Sequence, residues 1–187
     1  MPMIRETIVT TVSRDGRVHL APIGIIADGP GWIIAPFHPS ATLDNLRAVP
    51  FAVANFTDDV RVFAGCLTGR NQWPTTPAKE IPVPRLADAL AHAELAVVRV
   101  SEHEQRPRFH CRVVHAVSRG SFGGLNRAKA AVVEAAILLS RVGFLPREKI
   151  ERELAYLATA VEKTAGADEQ EAWRWLMEAI EAYYAGK

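Results

Sequence analysis

The chain has 187 residues, 49% of them hydrophobic and 23% charged, and a formal net charge of +1 at pH 7. That length suits one domain, or a domain with a substantial appendage. The near-neutral balance excludes a general pull toward nucleic acid or an anionic membrane surface, so any bound anion must be held locally. No apolar run approaches the ~20 residues that span a bilayer, and the opening MPMIRET lacks the apolar core of a signal peptide. A cytoplasmic protein with no nucleic-acid or membrane partner is expected. Its two cysteines, Cys66 and Cys111, sit in apolar strings (VFAGCLTG and RFHCRVV) without metal or disulfide spacing, and are expected to be reduced, buried thiols.

Residues 6–12 are rich in Thr, Val and Ile and read as a strand. Ser13-Arg14-Asp15-Gly16 follows, and Asp-Gly between two such runs signals a hairpin. Residues 17–26 form the returning strand, and a second turn at 27–31 leads into a strand over 32–37. Pro22 cannot donate to a ladder and is expected at an edge or bulge. A short helix follows, capped by Ser40 or Thr42 and stopped by Pro50. Residues 51–56 are again a strand; residues 60–67 suit either a strand or a short helix.

From 68 to 86 four prolines and weak periodicity predict an ordered loop, long enough to carry function. Residues 91–102 and 108–118 read as two closing strands. After Gly120 the spacing turns helical. Helices are predicted over 126–142, from Arg147 to Thr164 with Gly166 as its cap, and from Glu169 to Tyr184 with Asp168 as the N-cap. Strands followed by grouped helices predict an α+β fold, with one domain over 1–120 and a three-helix segment over 121–187. Trp173 and Trp175, two apart on a helix, are not expected to face one core, which places one of them at an interface.

The sharpest chemical feature is an apolar strand running directly into Ser40-Ala41-Thr42-Leu43-Asp44-Asn45. A helix start offers unpaired N–H groups and a partial positive charge, and the Ser40 and Thr42 hydroxyls add donors, so the turn suits a phosphate. Asn45, one turn on, reaches the same region. His38 sits beside this turn. His103, His110 and His115 do not make a metal site, since alternation puts His110 and His115 on opposite faces. No Ser–His–Asp arrangement can be argued from spacing, and no side chain is singled out as catalytic.

The strings DGRVHLAPIGI, IIAPFHPSATLDNLR and FAVANF, in that order, resemble the FMN-binding split barrel, the superfamily of pyridoxamine-phosphate oxidases and flavin reductases. The resemblance covers about residues 7–118. It implies an antiparallel split β-barrel with FMN as cofactor. Ser40, Thr42 and Asn45 would face the phosphate and ribityl chain, and Ala35, Pro36 and Phe37 would run beside the isoalloxazine ring. Residues 21–23 would lie nearby, and Asn55 would add an amide. Apart from the resemblance, Trp73 is a candidate to cover a flavin by its place in the long loop. Oxidase members carry Arg and Lys at the positions of Ser40 and Thr42, so the phosphate needs another cation here. Arg70, Arg127 and Lys129 are the candidates.

In the second half Asn126-Arg127-Ala128-Lys129, Glu134-Ala135-Ala136-Ile137 and Val161-Glu162-Lys163-Thr164-Ala165-Gly166 resemble one group more closely. It is the domain-of-unknown-function family 447 of methanogens and methylotrophs, which joins a split barrel to C-terminal helices. This resemblance implies an FMN-binding homodimer. The function expected is a flavin-dependent oxidoreductase acting on a small-molecule redox substrate; the alternative is a non-catalytic flavin-binding or structural dimeric module.

Overall fold

The structure is a computed structural model and describes residues 2–186. The chain forms two compact units. One comprises the chain up to Thr57 together with Gln72–Ser121; the other comprises Asp58–Asn71 and the chain from Phe122 onward.

In the first unit, β1 (Ile4–Val12), β2 (Val18–Asp28), β3 (Gly31–Ile34), β4 (Phe51–Phe56), β7 (Ala91–Ser101) and β8 (Arg108–Ser118) close an antiparallel barrel. Their order around it is β1-β2-β3-β8-β7-β4. The first hairpin forms because Gly16 takes a φ of 82°, a left-handed conformation that a side chain would strain. Its amide then bonds the Ser13 carbonyl at 2.9 Å. Gly31 is fixed by a different constraint, since a Cβ there would come within 2.2 Å of the Cys111 carbonyl on β8. Pro22 pairs with Ile8 of β1, while β3 meets β2 only from Ile26 to Asp28. Pro22 therefore lies where β2 is locally an edge, as its missing N–H requires.

Inward-facing residues fill the barrel, including Val9, Ile25, Ile34, Leu43, Leu46, Leu95 and Phe109. Burying each large aliphatic or aromatic side chain contributes about 1.5–3 kcal/mol. Leu43 and Leu46 belong to α1 (Ala41–Ala48), so the helix that closes onto the barrel also carries the phosphate-type turn.

The proline-rich segment is ordered and includes a small ladder, β5 (Thr75–Thr76) with β6 (Arg85–Leu86). Two buried side chains anchor it. Asn55 on β4 accepts the Leu86 N–H at 2.8 Å. Glu94 on β7 accepts the N–H groups of Lys79 and Glu80 at 2.8 and 2.7 Å.

The second unit contains α2 (Val60–Leu67), α3 (Arg127–Ser140), α4 (Arg147–Thr164) and α5 (Ala167–Ala185). The segment read as strand or helix is α2, capped by the Asp59 carboxylate on the Arg61 N–H at 3.0 Å. Val60 and Ala64 pack with Val132, Ala136, Ala172 and Leu176. Three expectations need correction. α5 starts at Ala167, with Gly166 rather than Asp168 as N-cap and the Glu169 carboxylate accepting the Gly166 N–H at 2.8 Å. Gly166 has φ −85°, so it is not a left-handed terminator of α4. Trp173 and Trp175 both pack against the same cluster, because α2 and α3 each contact α5 and widen its apolar arc.

Candidate functional site

The site is built where β3 ends. Ala35 and Pro36 continue inward and are buried, and then Phe37 turns outward at 62% exposure. Three residues later Ser40 adopts the extended backbone of an N-cap, and its hydroxyl accepts the Leu43 N–H at 3.3 Å. The Asp44 N–H bonds the Ser40 carbonyl at 3.2 Å. The amides of Ala41 and Thr42 lie ahead of the intrahelical ladder and point out of the helix start, with the positive end of its dipole behind them. Asp44 is exposed in the same turn and offsets part of that positive potential.

The helix face that meets the barrel holds Thr42 and Asn45, at 2% and 7% exposure. Asn45 Nδ2 donates to Thr11 Oγ1 at 3.0 Å. Its amide group thus answers a fully buried threonine of β1 instead of extending the donor row at Ala41 and Thr42, as sequence spacing had suggested. Asn55 departs further from expectation. It is fully buried, and its Nδ2 donates to the Ile8 carbonyl at 2.8 Å and to Thr10 Oγ1 at 2.9 Å. Its oxygen holds Leu86, so both ends of its amide serve the barrel and its loop.

The basic residues named from the sequence lie in the second unit. The Arg70 guanidinium lies 4.5 Å from the Trp175 ring centre and 3.8 Å from Glu178. Arg127 opens α3, and Lys129 is 2.5 Å from Asp58 and 3.9 Å from Glu169. Sequence reasoning missed Arg106. Its Nε and Nη2 both donate to the Ala35 carbonyl, at 3.0 and 2.7 Å, and its guanidinium lies 4.3 Å from the centre of the Phe37 ring. Trp73 belongs to the barrel unit, and its indole nitrogen is buried without a hydrogen-bond partner.

Beside the helix a shallow cavity of about 380 Å³ is lined by His38, Arg47, Glu102, His103, Glu104 and Pro107. Arg47 and Glu102 pair across it at 3.0 Å. His103 Nδ1 accepts the N–H groups of Gln105 and Arg106, at 3.2 and 3.3 Å, which leaves Nε2 to carry the proton of the neutral ring.

Two other histidine clusters complete the chemistry of the barrel. His110 joins Asp28 through Nδ1 at 2.8 Å and Ser101 through Nε2 at 3.1 Å, a Ser–His–Asp contact that spacing did not reveal. Arg99 is 2.6 Å from the Ser101 hydroxyl and 3.0 Å from His110 Nδ1, so both are already engaged and the group ties strand ends together. His92 is 2% exposed and lies 3.5 Å from Glu94. Burial chiefly lowers its pKa, which keeps the ring neutral. Burial alone would raise the Glu94 pKa, but the amides of Lys79 and Glu80 outweigh it and hold the carboxyl below its ordinary value.

This closed six-stranded barrel, with a helix between its third and fourth strands, is the split-barrel fold. The chain belongs to the family described as "Protein of unknown function (DUF447)", whose N-terminal domain profile matches residues 5–120 and whose second profile matches residues 126–178. An FMN-bound protein of that family from Methanosarcina mazei superposes with TM-score 0.84 at 22% identity, over 96% of each chain. The 2-nitrobenzoate 2-nitroreductase of Pseudomonas fluorescens superposes with TM-score 0.53 at 22% identity, over 64% of this chain and 66% of its own. The FMN-binding protein of Thermus thermophilus superposes with TM-score 0.51 at 19% identity, over 63% and 71%. Comparison with curated proteins found no match. No helix among the described residues is long and apolar enough to cross a membrane.

Proposed function

We propose that this protein binds FMN at the junction of β3 and α1 and works as a flavin-dependent oxidoreductase on a small-molecule redox substrate, as a cytoplasmic homodimer. The observation that carries the reading is the α1 start, where Ser40 and the leading amides of Ala41 and Thr42 follow directly on the Ala35–Phe37 segment. These donors fit the dianionic phosphate of FMN, and an aromatic ring at 62% exposure fits a flat heterocycle. Family membership and the FMN-bound relative from Methanosarcina mazei support the same cofactor.

Bound FMN supplies hydride or electron transfer, and the protein's part is placement and electrostatics. In this reading Ser40, Thr42 and the helix dipole hold the phosphate, while Asn45 acts from behind by fixing α1 to Thr11. Ala35, Pro36 and Phe37 flank the ring. Asn55 supports the barrel beneath it. A contribution from Arg70 or Arg127 to the phosphate is tested by neutralising each in turn.

The test is FMN titration followed by flavin absorbance and fluorescence, on the native protein and on Ala41→Asp. Thr42 is a poor position for the charge because Asp there would be buried. Ala41 is exposed and opens the helix, where an acidic side chain stabilises the fold yet repels a phosphate. The expected outcome is flavin binding by the native chain and roughly a hundredfold loss in Ala41→Asp, from like charges at contact distance, with a melting temperature no lower than native. Equal affinity of the two proteins would remove α1 from the site. Bound flavin that no reductant or acceptor turns over would restrict the protein to flavin binding.

A further inference from the structure

The β3–β8 ladder runs through Trp32↔Cys111, Ile33↔His110 and Ile34↔Phe109. Beyond the end of β3, the His38 N–H again bonds the Gln105 carbonyl, at 2.9 Å, on the same register. Continuing that register between these points sets Pro36 opposite Pro107 and Phe37 opposite Arg106. Neither proline has an N–H, so the ladder has a gap between two bonded stretches. Within the gap the carbonyl of buried Ala35 takes both of its hydrogen bonds from the Arg106 side chain. The same guanidinium lies over the Phe37 ring, 4.3 Å from its centre, and Phe37 is nonetheless 62% exposed. One side chain thus fixes the backbone of the Ala35–Phe37 segment and backs its aromatic ring with a positive charge.

Building on the flavin reading, we propose that Arg106 is a positioning residue of the flavin site, and that the Phe37–Arg106 stack is the platform for the isoalloxazine ring. A bidentate guanidinium holds the Ala35 carbonyl in one orientation, which a single ammonium cannot do. Its charge also favours an electron-rich ring on the far side of Phe37. Reduced flavin carries more negative charge than oxidised flavin, so the stack stabilises the reduced form more and raises the midpoint potential of the bound cofactor.

The experiment compares native protein, Arg106→Gln, Arg106→Lys, Phe37→Leu and Ala41→Asp. Readouts are the Kd for oxidised FMN, the Kd for FMN reduced anaerobically, the visible spectrum of bound flavin, and thermal melting. Arg106→Gln is expected to weaken oxidised FMN by roughly tenfold, the scale of a desolvated cation–π contact, and reduced FMN by more. Arg106→Lys restores the charge, so it recovers the ratio of the two constants while its Kd stays weaker than native. Phe37→Leu weakens both forms and alters the spectrum, and it decides the matter if Arg106→Gln does not fold. Native Kd values and spectrum in both Arg106→Gln and Phe37→Leu, with Ala41→Asp still defective, would overturn the platform and leave the phosphate turn standing. No flavin binding by native protein would overturn both.

Discussion

The carboxylate of Glu94, fully buried on β7, accepts the backbone N–H of Lys79 at 2.8 Å across 15 residues of sequence. Its second oxygen takes the N–H of Glu80, and the neutral His92 ring lies beside it. A charged side chain inside the barrel unit is tolerated because it is the anchor of the proline-rich segment, and charge-assisted bonds to amides offset its desolvation.

Glu94→Gln is therefore expected to destabilise the protein by about 2 kcal/mol at pH 7, since an amide accepts with one end only and presents N–H to N–H at the other. The sign with pH follows from the depressed carboxyl. Its contribution is complete above the ordinary value of 4.5 and disappears as pH falls through the lower folded value. His92 acts in the same direction: its folded pKa is lowered from 6.5, so holding it neutral costs more as pH drops below 6.5. Urea denaturation of both proteins at pH 7 and below pH 4 should show a gap that narrows in acid. A gap that widens would contradict the assignment.

Asn55→Leu removes two donors and an acceptor from the interior and leaves the Leu86 amide and the Thr10 hydroxyl without their partner. A loss of about 3 kcal/mol is expected, with faster proteolysis between residues 72 and 90. Unchanged cleavage there, at equal global stability, would mean that the segment is anchored by other contacts.

Burial pushes the Cys66 thiol up to about 11 and the Cys111 thiol up to about 12. Neither forms thiolate near neutrality, so both should resist iodoacetamide at pH 8 in the folded protein and react promptly in urea. Cys111, 4% exposed, is the slower of the two in native conditions. Mass spectrometry of timed samples reads this directly.

Lys129 links Asp58 and Glu169, which are far apart in sequence. The groups are half-buried, so a double-mutant cycle with Lys129→Met and Asp58→Asn is expected to give about 1 kcal/mol of coupling that high salt reduces. Zero coupling at low salt would reduce the pair to a packing contact.

The parts of this molecule that were legible in sequence are local ones. Asp15-Gly16 dictates its own turn, and Ser40 caps its own helix, because a few adjacent residues settle each outcome. Apolar spacing located α3 and α4 for the same reason. Asn45 and Asn55 were harder, because the choice between ligand and barrel depends on Thr11 and Leu86, whose proximity is a product of folding. Arg106 was invisible for a related reason: its bonds to Ala35 appear only once β3 and β8 are in register. Trp175 and Trp173 misled because one-sided helix logic fails where two neighbouring helices pack on the same helix.

Helix α2 gives the chain an unusual economy of parts. It lies between barrel strands β4 and β7 in sequence, yet Val60 and Ala64 complete the core of the α3 and α5 pair. A protein ended after Gly120 would keep every barrel strand and still carry α2 without the α3 and α5 residues that it packs against. Such a fragment should stick to itself or to whatever hydrophobic surface it meets.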